Sequence, residues 1–189
     1  MKQNVIKPFL SAATLAVVFC AGPQASSAPI PGTATSTLIA PSSGLFRSPL
    51  GFHLSAGSSG WTQTEAPGGN KFITTMYRSP GAKFIGENGM LTVRVDKLAK
   101  VMPLDRYIQR WMKEYPKYGF DVLGSKPFAQ KKERGYVLDL INRDNGKQLR
   151  QVVFLRNQNA VILTCRDKSI SFKESLKSCN EIIRTFEWN

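Results

Sequence analysis

Residues 136–166 read YVLDLINRDNGKQLRQVVFLRNQNAVILTCR, and this stretch decides the fold. Runs rich in β-branched and aliphatic residues, Tyr136–Arg143, Gln148–Arg156 and Ala160–Arg166, are split by short polar connections. Asp144-Asn145-Gly146 supplies residues that accept positive φ and is a strong hairpin signal. Asn157-Gln158-Asn159 joins the next pair. Connections this short force antiparallel neighbours, because a parallel pair needs a long crossover. Within Gln148–Arg156, Val152 and Phe154 point one way and Val153 and Leu155 the other, so both faces are covered and the strand is central.

Working outward, Phe120–Leu123 is a further strand, and before it the period changes. Leu104, Tyr107, Ile108, Trp111, Met112 and Tyr115 recur at helical spacing, with Pro103 in the first turn and Pro116 and Gly119 at the end. Met90–Val95 alternates, placing Leu91, Val93 and Val95 on one face and Thr92 and Arg94 on the other. Lys71–Arg78 and Gly51–Leu54 are strands, and Ser58-Ser59-Gly60 turns the chain into Trp61. At the other end Phe172, Leu176, Cys179, Ile183 and Phe186 share a helix face, and Ser171-Phe172-Lys173-Glu174 is a capping-box pattern. The order is β-β-β-α-β-β-β-β-α: an α+β domain over 51–189, with an antiparallel sheet of about six to seven strands flanked by two main helices.

That order, with Gly60-Trp61, Leu163-Thr164 and the Phe-rich terminal helix, resembles the Mog/PsbP-like superfamily, which takes in PsbP and exported bacterial proteins of the DcrB and LpqN kind. The resemblance covers about residues 51–189. It implies an antiparallel sheet sandwiched with helices and a non-catalytic role in binding or assembly. No acidic GTPase-docking or photosystem-docking segment is identifiable, so neither specialised partner carries over.

Residues 1–27 read as an export signal. Lys2 and Lys7 precede the uncharged apolar run FLSAATLAVVFCA, too short for an ordinary membrane span, and small residues follow at Ala25 and Ser27. The alternatives are an uncleaved anchor and a lipoprotein signal at Cys20, the latter opposed by Phe19 where a small residue is wanted. Residues 28–50, rich in Pro, Ser, Thr, Gly and Ala, read as a linker or arm. An exported chain is periplasmic or secreted, where Cys165 and Cys179 are expected to pair as a structural disulfide; two free thiols are the alternative, and no C-x-x-C spacing supports a redox site.

The 189 residues carry 26 Lys+Arg against 13 Asp+Glu. Such a cationic chain is attracted to anionic surfaces. Arg106, Arg110, Lys113 and Lys117 line the outer side of the first helix, and Lys131, Lys132 and Arg134 sit in the turn before Tyr136; these are the candidate anion- or partner-binding residues, against the plainer reading of a solvated helix face and a polar turn. No RNP-like aromatic motif accompanies them, which sets nucleic acid aside. Catalytic, cofactor and metal sites are not identified. His53 is the sole histidine, acids are dispersed, no G-x-S-x-G or P-loop occurs, and Gly57-Ser58-Ser59-Gly60 reads as a turn. The expectation is a non-catalytic binding or assembly factor of the cell envelope, its partner another envelope protein. Its rivals are a module binding anionic lipid or glycan through the basic helix, and an envelope hydrolase.

Overall fold

The computed structural model describes residues 44–66, 70–81 and 89–189. The export signal, Cys20 and most of the linker lie outside them.

The strands read from residues 136–166 form the centre of the molecule. Here β7 (Glu133–Asn142), β8 (Lys147–Arg156) and β9 (Asn159–Lys168) make a continuous antiparallel meander with Val137 opposite Val152 and Val152 opposite Leu163. Around it lie β3 (Thr62–Thr64), β4 (Ile73–Arg78), β5 (Met90–Lys97) and β6 (Phe120–Gln130), in the seven-stranded order β3-β4-β5-β9-β8-β7-β6. All neighbours are antiparallel. A second, three-stranded sheet joins β1 (Leu45–Ser48), β2 (Phe52–Ser55) and β10 (Glu187–Trp188). The expected α+β architecture holds.

Strand parity separates two cores. On one face Val93, Val152, Phe154, Leu163 and Cys165 pack against Cys179, Ile182, Ile183 and Phe186 of or beside α2 (Phe172–Ile183), with Phe52 and Leu54 from β2. The rings of Phe154 and Phe186 stack at 4.1 Å. On the other face Leu138, Leu140, Val153 and Ile162 meet Tyr107 and Ile108 of α1 (Leu104–Glu114) and Tyr115 just beyond it. Each such side chain stabilises the fold by about 1.5–3 kcal/mol through removal from water, which is why β8, apolar on both sides, takes the interior of the sheet. The Cys165–Cys179 disulfide, with Cα atoms 6.0 Å apart and both residues fully buried, ties β9 to α2 inside the first core.

Several boundaries differ from the sequence reading. The expected division between linker and domain at 50/51 cuts through a hairpin: β1 pairs with β2, and Tyr77 Oη, fully buried, donates to the carbonyls of Gly44 and Leu54. The strand expected over Phe120–Leu123 runs on to Gln130, through a register shift between Val122 and Gly124 and past Pro127. Proline is tolerated there because β6 is an edge strand and needs no outward N–H. After α1 the chain continues as a 3-10 turn over Tyr115–Tyr118, so Pro116 begins that turn, and Gly119 at φ +79° ends it. The capping box at Ser171 does not form. Ser171 has αR backbone, its Oγ donates back to the Lys168 carbonyl at 3.3 Å, and Glu174 accepts from Lys177 at 2.9 Å.

Candidate functional site

Arg106, Arg110 and Lys113 are all exposed on α1, as its period demands. They make no ion pair among the described residues. Arg110 borders a cleft of about 360 Å³ with Phe72, Leu98, Tyr107 and Trp111. Lys117 lies in the 3-10 turn and is paired with Glu114 at 2.9 Å.

The second basic group is split by the fold. Lys131 and Lys132 form the β6–β7 turn, with Lys131 at φ +50°. Arg134 is not in that turn but in β7, bordering a groove of about 480 Å³ with Leu104, Asp105, Pro127 and Tyr136. Lys131 bonds Glu187 of β10, and His53 Nε2 stands 3.7 Å from the same carboxylate. The hydrogen bond from Lys131 and then its charge hold the Glu187 carboxyl below the usual range, with His53 adding a smaller pull.

Several groups with nucleophilic or acid–base capacity among the described residues are partnered, each at a separate place. His53, on β2, contacts Asn189 Oδ1 through Nδ1 at 2.9 Å. Ser58, in the turn that its neighbours Gly57 and Gly60 predict, donates to Glu181 at 3.3 Å. Buried Asp167 accepts from Ser175 and from the Lys168 amide, and Asp139 takes both arms of Arg150 at 2.7 and 2.8 Å. Tyr107 donates to Asp96 at 2.7 Å; burial, then this bond, raises its phenol well above the ordinary value. Burial pushes Tyr115 up to about 12. Both phenols are therefore protonated donors at neutral pH. No group of three or more His, Cys, Asp or Glu that could hold a metal occurs among the described residues. No helix among them is long and apolar enough to cross a membrane.

A third feature was not visible along the sequence. Arg78 on β4 and Arg166 on β9 both stand directly opposite Met90 on β5, so all three share the sheet face away from α2. The Arg166 guanidinium reaches Met90 Sδ at 3.3 Å, and Met90 is buried although it belongs to neither packed core. The Nε atoms of Arg78 and Arg166 are buried with no hydrogen-bond partner. Arg94, on the same face, has a different fate. It is ion-paired with Asp96 at 3.0 Å, although its Nε is off the hydrogen-bonding direction, and it lies 5.3 Å from the Trp111 ring centre. Beside it Thr92, Thr164 and Phe72 border a hollow of about 260 Å³.

No family model matches the chain, and no curated protein does. Solved structures do. The chain is similar to cyanobacterial PsbP (CyanoP) from Synechocystis sp. PCC 6803, with a TM-score of 0.52 and 11% identity over 78% of this chain and 94% of that one. It is also similar to PA94 of Pseudomonas aeruginosa, described as a protein of unknown function and putative regulator (0.53, 16%, 75% and 93%). A third is LpqN of Mycobacterium tuberculosis, involved in cell envelope biogenesis (0.51, 12%, 71% and 81%). At such identities the likeness speaks for the fold and not for an activity. The seven-stranded antiparallel sheet between its two helices, with the neighbours it finds, is a PsbP-like α+β fold.

Proposed function

We propose that the protein is an exported, non-catalytic binding or assembly factor of the cell envelope. The observation that carries this reading is how its polar chemistry is distributed. Among the described residues, His53, Ser58 and Asp167 are each engaged at separate places, while Arg106, Arg110 and Lys113 stand exposed without an ion pair. A hydrolase needs nucleophile, base and anion-stabilising donors within reach of one atom. A docking protein needs accessible surface on a rigid frame. The buried Cys165–Cys179 bond supplies such rigidity and suits an oxidising compartment. The structural neighbour with an envelope role supports the location. Tagged mature protein should capture a defined envelope protein from a native envelope fraction, identified by mass spectrometry. Turnover of envelope esters, peptides or glycans by the pure protein would overturn the reading.

A second reading is favoured by one observation: Arg106, Arg110 and Lys113 are exposed and unpaired among the described residues. Such a face binds anionic lipid or glycan in a salt-dependent way. Vesicles containing phosphatidylglycerol should then retain the protein at low salt, and R106E/R110E/K113E should release it. Retention of the triple variant would refute the role of this face.

A further inference from the structure

We infer that Arg78 and Arg166 form a binding site for a phosphate group on the sheet face that α2 does not cover. Both residues pair in register with Met90, one from each side, so their Cα atoms lie two strand spacings apart, about 10 Å, with side chains on one face. Met90 fills the floor between them, against the Arg166 guanidinium. Each arginine is partly buried, and each keeps an Nε donor that is out of water and without an acceptor. A buried donor left unmade is costly, and a cation without a counter-charge more so, so two such donors flanking one residue call for an acceptor placed between them. Neither guanidinium meets an acidic partner among the described residues, whereas Arg94, two face positions along β5 from Met90, has Asp96.

The choice of phosphate follows from charge. The two oxygens of a carboxylate can accept from two arginine forks, but they bring a single negative charge against two cations. A phosphate monoester brings about two negative charges and three acceptor oxygens. The plainer alternative is that the two arginines merely lay their aliphatic stems over Met90.

The Nε–H resonances of arginine decide between them. At constant ionic strength, inorganic phosphate should shift the Arg78 and Arg166 Nε–H peaks saturably, and chloride should not. Arg166→Lys and Arg78→Lys keep charge and stem but lose the fork, and each should weaken binding at least tenfold with the near-UV spectrum unchanged. If one variant fails to fold, the other carries the test. Lys173→Gln, exposed on α2, should leave the affinity unchanged, which separates this site from general surface charge. Vesicles bearing phosphatidic acid, compared with a soluble sugar phosphate, distinguish a lipid headgroup from a free phosphate ester; Arg166-dependent binding of either supports the site. A linear, non-saturating shift shared by all arginines would overturn the proposal. So would Glu87→Gln, in the segment joining β4 to β5, shifting both Nε–H peaks without phosphate in the sense opposite to acceptor binding, since the arginines would then already hold the chain's own carboxylate.

Discussion

Opening the Cys165–Cys179 bond is the sharpest probe of this molecule. The two residues are 14 apart, and closing a loop of that size lowers the entropy of the unfolded chain enough to stabilise the fold by about 3 kcal/mol. For a domain of this size each kcal/mol moves the melting temperature by about 2–4 °C, so the reduced protein should melt roughly 6–12 °C lower. Both residues have no exposed surface, so reductant cannot reach the bond in the folded state. Native protein should therefore resist dithiothreitol until denaturant is added, and the reduction rate should follow the rate of unfolding. The assay pairs circular-dichroism melts of oxidised and fully reduced protein with mass spectrometry of the unreduced peptide linking the two cysteines. C165A/C179A should fall at least as far as reduced wild type, because it adds a cavity beside Phe172 and Ile182. Coincident melts, or two thiols alkylated in the native unreduced protein, would refute both the entropic argument and the buried position of the bond.

Other outcomes follow from close approaches and charge. A Cβ added at Gly135 would sit 2.8 Å from the Val153 carbonyl and 3.0 Å from the Phe154 ring, so Gly135→Ala should cost about 1–3 kcal/mol in urea unfolding, while Gly124→Ala, with nothing within 4 Å, should cost far less. Because the folded Glu187 carboxyl is held below its usual range, its contribution is present above the unfolded pKa and is lost as pH falls through the folded one. Lys131→Gln should move the Glu187 titration upward in carboxyl NMR, with little change in stability, because both groups are exposed.

The central meander was legible because its strands are long, apolar on both sides and joined by residues made for tight turns; Asn157 takes φ +55° and Gly146 φ +64°. The helices were legible because their apolar faces repeat at the right interval. What escaped depends on distant partners. Leu45-Phe46-Arg47-Ser48 has no local strand signature beyond its length, and becomes a strand because β2 lies beside it and Tyr77 anchors the preceding carbonyl. Glu187–Trp188 pairs with Phe52 and His53 for the same kind of reason. Gly124-Ser125-Lys126-Pro127 carries loop-like composition, and only its edge position permits it to be strand. Ser171 and Glu174 matched a local pattern, yet found nearer partners in Lys168 and Lys177. Arg106, Arg110 and Lys113 fall on the exposed side of α1 as their spacing predicts, whereas Lys117 lies in the 3-10 turn and pairs with Glu114. The arginine pair was unreadable, because nothing along the chain says that residues 78 and 166 flank residue 90; only the strand register does.

The rims of the large sheet limit how anything can attach to it. At one end β3 offers three residues. At the other, β6 presents Lys126, an amide missing at Pro127 and a kink at Gly124, each of which discourages a foreign strand from zipping alongside. Self-stacking into fibrils is disfavoured by the same devices. A peptide seeking main-chain pairing would find little template on either rim of this sheet, which leaves side chains as the means of contact there.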